Sequence, residues 1–382
     1  MPAFIPLILA IFVVVTAEFL TVGLLPIMAD DLNISLAEAG WFVTYFALSA
    51  SFLGPIFALL AARYNARIIL ITTLLIFAAS NLAMAVFPNY TVIVAVRLLQ
   101  GAILPTVISV ASVSASYLTT AENEGRAIAL VTIGVVGATL LGIPIGTLIA
   151  GELNWPLSFA GLSLFTILSA FAIAIGFPRM DTTRSSAILA DASLLWRPYF
   201  LVHLLLSCIL FTGMFTGYTY ISALLHSFSY FDDATSAWVL MGFGIAGVFG
   251  NWLAGRKVDR DPLSTTAWVA LTLTIAMAAI LPTGQNQPLL FIFVIGAWGA
   301  AHAAAFVSCQ VRVMKIGRTA PVFATSLNIS ICNLGIGLGA TIGGQVVDNY
   351  TVESVGYFGA ITTIVAFLIV IAMKTMRFQI TD

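Results

Sequence analysis

The sequence predicts an all-α integral membrane protein with twelve transmembrane helices in two pseudo-repeated six-helix bundles around a central cavity. Three observations lead to this prediction. The 382 residues are 60% hydrophobic and 8% charged, with a mean hydropathy of +1.07, whereas soluble domains contain about 25% charged residues. The apolar residues form twelve long runs. The basic residues lie almost entirely in alternate gaps between these runs.

Each apolar run can form one span, because a transmembrane helix needs about 20 apolar residues at a rise of about 1.5 Å each. The runs of the N-terminal half are centred near residues 16, 50, 77, 104, 138 and 167. Those of the C-terminal half are centred near residues 211, 244, 271, 300, 331 and 363. Residues 4–28 are not expected to be a cleavable signal, since no basic segment precedes them and the apolar stretch is too long.

The distribution of basic residues predicts the orientation. The gaps after odd-numbered runs contain no Lys or Arg, and Arg97 lies inside the fourth run. Because basic residues resist translocation, both termini and every even-numbered loop are expected on the cytoplasmic side. The basic residues of these cytoplasmic segments are Arg63, Arg67, Arg126, Arg179, Arg184, Arg197, Arg256, Lys257, Arg260, Arg312, Lys315, Arg318, Lys374 and Arg377.

A long polar stretch between the sixth and seventh runs divides the chain. We expect an N-terminal bundle at residues 1–178, a cytoplasmic linker at 179–198 and a C-terminal bundle at 199–382. Internal duplication of six-helix units is typical of transporters, whose substrate site lies near the membrane midplane between the halves. The short loops leave no room for a soluble catalytic domain. An offset of 197 residues places Trp41 on Trp238, Arg63 on Arg260, Gly142 on Gly339 and Gly146 on Gly343.

Short motifs in the N-terminal half carry a family resemblance. The motifs are Glu18-Phe19-Leu20-Thr21-Val22-Gly23-Leu24-Leu25-Pro26 followed by Asp31-Leu32 and Ala39-Gly40, then Arg97-Leu98-Leu99-Gln100-Gly101, Gly134-x-x-Gly137, Gly142-Ile143-Pro144-Ile145-Gly146, and Trp155-Pro156 with Phe159. Together they resemble the twelve-helix drug/proton antiporter branch of the major facilitator superfamily, especially its bacterial sugar, purine and nucleoside exporters. In the C-terminal half the resemblance rests mainly on topology.

One loop departs from the family pattern. The loop between the second and third helices usually reads Gly-x-x-x-Asp-Arg-x-Gly-Arg-Lys in this family. Here the acidic residue and both glycines are missing, so the role of this loop in holding one side of the transporter closed is not implied for this chain. The corresponding positions are Ala58, Ala62, Arg63, Asn65, Ala66 and Arg67.

Glu18 and Arg97 are the candidates for proton coupling, because both are ionisable residues inside apolar runs. Glu18 is twelve residues before Asp30, and Arg97 is nine after Pro88, which gives depths of about 18 and about 14 Å. Burial favours a protonated carboxyl group, while a nearby guanidinium favours the ionised form. A carboxylate that takes up and releases a proton during transport requires these two opposing effects. Two structural alternatives stay open: a fixed Glu18–Arg97 pair, or Arg97 bonded to the backbone of the first helix.

The fifth-run motif has a packing explanation as well as a functional one. Small residues let neighbouring helices approach closely, and Pro144 removes one helix hydrogen bond. We expect the fifth and eleventh helices to meet where the two halves contact each other and to take part in conformational exchange. The resemblance associates this motif with export. The residues of this conformational motif are Gly137, Gly142, Pro144, Gly146, Gly339 and Gly343.

The candidate substrate contacts are aromatic and polar residues on helices that line the cavity in the family that this chain resembles. Each also has an ordinary explanation, since aromatic residues often face lipid or core, and amides and histidine often bridge helices. The candidates are Trp41, Tyr45, Gln100, Phe211, Phe215, Tyr218, His302, Asn328 and Asn333.

The expected function is proton-coupled efflux of a sugar, nucleoside, purine or drug across the bacterial cytoplasmic membrane. The alternative is a proton symporter or facilitator that imports a small solute. No Walker-type motif indicates ATP use, and Cys208, Cys309 and Cys332 lie within apolar runs, which implies no disulfide or metal site. We expect no enzyme activity, no cofactor and no nucleic-acid partner. Protons, the lipid bilayer and a small-molecule substrate are the expected partners of a monomer.

Overall fold

The computed structural model describes residues 4–61, 63–119, 124–178, 197–228, 231, 233–318 and 321–376. Within these ranges the chain is helical and contains no strand. It forms two compact units, Met1–Ile34 with Tyr45–Ser185, and Ser35–Thr44 with Ser186–Asp382. The expected linker at 179–198 lies almost entirely outside the described residues.

The first unit contains the spans of the N-terminal half, and its second helix is shared because residues 35–44 cluster with the other unit. The helices are α1 (Phe4–Leu32), α2 (Leu36–Phe52), α3 (Gly54–Ala61), α4 (Ala66–Val86), α5 (Tyr90–Tyr117), α6 (Glu124–Gly137), a π-helical segment (Ala138–Gly142), α7 (Ile143–Glu152) and α8 (Trp155–Gly176).

The second unit repeats this all-helical arrangement. Its helices are α9 (Pro198–Tyr218), α10 (Ile221–His226), α11 (Asp233–Val258), α12 (Pro262–Asn286), α13 (Pro288–Ile316), α14 (Pro321–Asn349), a 3₁₀ turn (Val352–Ser354) and α15 (Val355–Thr375).

The twelve-span prediction is confirmed. Eleven stretches of helix in the described residues are long and apolar enough to cross a membrane, and the bent pair α2–α3 makes the twelfth. The 48° bend between α2 and α3 occurs at Leu53, just before Pro55, whose missing N–H removes one helix hydrogen bond. The π-helical segment ends just before Pro144, which like Pro55 has no backbone N–H to donate.

α1 and α9 are the most buried spans of their units. The most apolar window of α1 is 83% buried and that of α9 is 78% buried, while most other spans are between 39% and 61% buried. A helix that is apolar on all sides belongs in the interior of a bundle. Residues on α1 and α9 are therefore surrounded by protein rather than by lipid, which makes these helices suitable places for functional side chains.

The glycines of the conformational motif pack against a helix of their own unit. A methyl group added at Gly142 would overlap the Thr16 side chain of α1. A Cβ at Gly339 would lie 2.5 Å from the Thr212 backbone oxygen of α9. Small residues here let α7 and α14 approach the central helix of each unit closely.

Candidate functional site

Arg97 is fully buried and holds the backbone of α1. Its Nη1 donates a hydrogen bond to the backbone oxygen of Ala17 at 2.8 Å, and Nη2 donates to that of Glu18 at 2.9 Å. The guanidinium carbon also lies 4.2 Å from the ring centroid of Phe46 on α2. Hydrogen bonds from a charged donor and contact with an aromatic face both stabilise a cation away from water. Arg97 thus joins α1, α2 and α5.

The backbone and the side chain of Glu18 interact with Arg97 in different ways. Both terminal nitrogens of Arg97 bind main-chain oxygens, while the carboxyl group of Glu18 is close enough to the guanidinium for electrostatic attraction. Glu18 retains 9% of its surface exposed, whereas Arg97 retains none. The arrangement therefore separates an anchoring residue, Arg97, from a neighbouring buried carboxyl group, that of Glu18.

The fifth-span motif packs against the same part of α1 that carries Glu18. Gly142 lies against Thr16, Gly146 against Leu20, and Gly137 against the ring of Phe12. Thr16 and Leu20 are the positions two residues before and two residues after Glu18 in the sequence. Movement of α6 and α7 would therefore be transmitted to the part of α1 that holds this carboxyl group.

Two other motifs of the N-terminal half also meet. The Trp155 indole nitrogen donates a hydrogen bond of 2.8 Å to the Asp31 carboxylate, which joins the start of α8 to the end of α1. A surface cavity of about 670 Å³ lies beside this contact, lined by residues that include Ile27, Leu82 and Ala150. Asp31, which lines this cavity, is thirteen residues along α1 from Glu18, about 20 Å. The cavity lining contains none of the candidate site residues.

Four candidate substrate residues come together around His302 in the second unit. The ring centroid of His302 on α13 lies 4.2 Å from that of Tyr218 and 5.4 Å from that of Phe215, both on α9. Phe211 contacts the cluster through Phe306, at 4.8 Å between centroids. We call Phe211, Phe215, Tyr218, Phe243, His302 and Phe306 the His302 cluster.

Two members of this cluster were missed by the sequence reasoning. Phe306 follows His302 by four residues on α13, and their ring centroids are 5.7 Å apart. That spacing places both side chains on one helix face, so Phe306 could have been identified from the sequence as a neighbour of His302. Phe243 on α11 lies 5.4 Å from His302, and no local pattern connects residues 59 positions apart. Among the described residues, Nδ1 of His302 has no hydrogen-bond partner, so the cluster offers an unpartnered polar atom within aromatic surroundings.

The remaining candidates are dispersed. Gln100 is fully buried and donates a hydrogen bond of 2.8 Å to Asn81 on α4. Asn328 bonds Gln310 on α13 at 3.0 Å, and Asn333 bonds the backbone oxygen of Ile329. These amides act as helix–helix or intrahelical contacts in this structure. On α2, Trp41 is 39% exposed and Tyr45 is half-buried.

Arg312 requires a correction to the loop assignment. The basic-residue pattern placed it in a cytoplasmic segment, but α13 continues to Ile316 and the Arg312 side chain is fully buried. Its Nη2 donates to the Ser207 hydroxyl at 2.7 Å and to the His203 backbone oxygen at 3.2 Å. Charge counting cannot distinguish a loop arginine from one in the last turns of a long helix, because both follow the same apolar run.

Comparison with known proteins identifies the family. A sequence model of the Major Facilitator Superfamily matches residues 7–321. The chain is 30% identical over 362 residues to the inner membrane transport protein YdhP of Escherichia coli strain K12, covering 93% of this chain and 91% of the relative. It is 26% identical over 373 residues to the uncharacterized MFS-type transporter YtbD of Bacillus subtilis strain 168, covering 96% and 94%. It also resembles the crystal structure of a D-xylose–proton symporter with a TM-score of 0.73 and 14% identity, covering 97% and 95%.

Proposed function

Because this chain belongs to the Major Facilitator Superfamily, and is thus a multi-pass membrane transporter and not an enzyme, we propose that it exports small polar or amphipathic molecules in exchange for protons. The observation that carries this proposal is Glu18. It is a buried carboxyl group on the most buried span of the first unit, beside a guanidinium that is bonded to backbone. Ionisable groups inside membrane spans are functional by default.

In the proposed cycle, Glu18 takes up a proton from the outside and releases it to the cytoplasm while substrate moves outward. Arg97 favours the ionised carboxylate and burial favours the protonated acid, so the balance between the two forms depends on how exposed the carboxyl group is. A change in exposure of Glu18 between the two states of the transporter then shifts its protonation. Arg97 keeps the geometry of α1 constant during this exchange, since its hydrogen bonds go to the main chain.

We propose the His302 cluster as the main substrate contact of the second unit. Aromatic faces suit planar or amphipathic molecules, and one unpartnered ring nitrogen can orient a polar group of the substrate. Sugars, nucleosides, purines and drugs fit this chemistry. The substitution His302→Phe, which keeps a ring but removes both nitrogens, is expected to raise the half-saturating substrate concentration about tenfold, because one hydrogen bond contributes about 1.4 kcal/mol.

We propose that the protein is a monomer of the bacterial cytoplasmic membrane with both termini in the cytoplasm. The relatives include a protein named as an inner membrane transporter, and the basic residues in alternate loops support this orientation. The two halves, 1–178 and 199–382, are proposed to exchange access to the two sides, joined by the linker at 179–198. The proposal needs no cofactor and no nucleic acid.

Inverted membrane vesicles test coupling and direction together. With an acidic interior, a proton antiporter should accumulate labelled substrate from a panel of sugars, nucleosides, purines and lipophilic drugs. Collapse of the pH gradient with an ionophore should abolish this uptake. Release of preloaded substrate driven by the same gradient would instead indicate import by symport, the activity named for the solved D-xylose–proton symporter, which shares the fold.

A further inference from the structure

A second polar cluster lies in the second unit, away from the His302 cluster. It consists of Arg312 on α13 with His203 and Ser207 on α9, and we call it the Arg312 cluster. Arg312 is ten residues along α13 from His302, about 15 Å. His203 is 1% exposed, and Ser207 and Arg312 are fully buried. Apolar side chains pack next to it, including Phe200, Leu204, Val313, Ile316 and Ala324.

The Arg312 cluster has more hydrogen-bond donors than acceptors. Nη2 of Arg312 uses the Ser207 hydroxyl and the His203 backbone oxygen, with the Cys309 sulfur 3.6 Å away. Among the described residues, Nε and Nη1 of Arg312 and both ring nitrogens of His203 have no hydrogen-bond partner. Three N–H bonds of the guanidinium and one of a neutral imidazole therefore lack an acceptor. Such orphaned buried donors point to an ion or water that completes the site.

Among the described residues, no acidic group compensates the positive charge of Arg312. A guanidinium keeps its proton in proteins, yet α9 and α13 contain no Asp or Glu. On α14, the Cys332 thiol lies close enough to Arg312 for electrostatic interaction, and the one acidic residue of this helix, Asp348, is sixteen residues further on, about 24 Å along the helix. Asp259, near this end of α13, is paired with Lys315 at 3.5 Å. A buried charge without a counter-ion is strongly unfavourable, so the missing partner must carry negative charge and accept hydrogen bonds.

We propose that the Arg312 cluster binds one small inorganic monoanion, with chloride as the simplest occupant. A monoanion balances the single cation and accepts the free N–H bonds of Arg312 and His203. The enclosed position favours an ion over an organic substrate, and the site is independent of Glu18 and of the proposed substrate contacts. The bound ion joins α9 to α13, so its main effect is on the stability of the second unit.

The test uses the purified full-length chain in detergent, with sodium chloride replacing sodium gluconate at constant ionic strength. The melting temperature should rise saturably with chloride, by about 3 °C or more. Arg312→Met should lose this response. Lys315→Met, one turn further on the same helix and partly exposed, should retain it. Sodium sulfate should not substitute for chloride, because the two negative charges of sulfate exceed the single positive charge of Arg312.

A second variant and a direct measurement keep the test decisive if Arg312→Met fails to fold. His203→Phe keeps a ring and removes a donor, and should raise the half-saturating chloride concentration about tenfold. Radioactive chloride should bind the parent protein at about one ion per chain. An absent chloride response in the parent, or an equal response in Arg312→Met, would overturn the proposal. A chloride response that appears only in Cys309→Ser would also overturn it, by assigning the counter-charge of the parent to the thiol.

Discussion

At the scale of single residues, the proposal gives different roles to Glu18 and Arg97, two ionisable side chains buried in spans of the first unit. Arg97 is fully buried and its terminal nitrogens bind main-chain oxygens of Ala17 and Glu18. The Glu18 carboxyl group is buried close to that guanidinium. If Arg97 maintains the geometry of α1 while Glu18 exchanges a proton, then substitutions at these residues should affect different measurements.

Glu18→Gln should abolish substrate accumulation driven by a pH gradient while leaving downhill exchange measurable. Glutamine keeps the shape and hydrogen-bonding capacity of the side chain but cannot take up or release a proton. The measurement is uptake into inverted vesicles with and without an imposed gradient. Glu38→Gln, the same change at an exposed position in the first turn of α2, serves as the control and should transport normally. Gradient-driven accumulation by Glu18→Gln at the parental level would exclude the coupling role.

Arg97→Lys should destabilise the protein more than Glu18→Gln does. An ammonium group lacks the planar fork that reaches two carbonyl oxygens at once, so at least one of the hydrogen bonds to α1 is lost, with a loss of about 1–2 kcal/mol. Melting temperatures of the purified variants measure this difference. Arg63→Lys, at an exposed position before α4, should melt like the parent. Equal melting of Arg97→Lys and the parent would mean that these bonds contribute no stability.

At the scale of helices, each unit is built around one central span. α1 and α9 are the most buried, and glycines of the conformational motif and its counterpart let α6–α7 and α14 approach them. In the first unit this contact covers Thr16 and Leu20, which flank Glu18. If Glu18 couples transport to protons as proposed, the motif would act on it through the position of α1.

Gly142→Leu should reduce transport while the protein still inserts into the membrane. The leucine side chain would overlap Thr16 and force α7 away from α1. Gly161→Leu on α8 is the matched control, because nothing lies within 4 Å of a Cβ at that glycine. Membrane insertion is measured by immunoblot of washed membranes, and transport by vesicle uptake. Equal transport by the two variants would show that close packing of α7 on α1 is unnecessary.

At the scale of the whole molecule, membrane orientation is the property that the sequence predicts most directly. Charge asymmetry predicts cytoplasmic termini. The same asymmetry holds in both halves, since the gaps after odd-numbered runs contain no basic residue. A single membrane orientation is therefore expected for the complete chain.

Reporter fusions test this orientation. A phosphatase fused after Asp232 should be active, because that gap is expected outside, and a phosphatase fused after Arg184 should be inactive. A fluorescent protein that folds only in the cytoplasm should give the opposite pattern at the same two positions, both of which lie outside the described residues. Active phosphatase after Arg184 would contradict the predicted orientation.

Several features were readable from the sequence because they are local. Span number depends on runs of about 20 apolar residues, and the bend in the second span follows from Pro55 at the start of α3. Glu18 and Arg97 stood out as ionisable residues within apolar runs. Phe211, Phe215, Tyr218 and His302 were among the candidate substrate contacts, but their grouping into one cluster with Phe243 and Phe306 was not predicted.

The sequence by itself determined the membrane class, the twelve spans and the presence of a carboxyl group on α1, since hydropathy is a sum over neighbouring residues. Only the tertiary structure decided that Arg97 binds the backbone of α1, that the glycines face α1 and α9, and that Arg312 is buried beside His203 and Ser207. The physical reason is that spans apolar on every side have no preferred rotation in their own sequence. The face that each helix turns towards its neighbours is set by contacts between residues about 80 to 130 positions apart in the sequence.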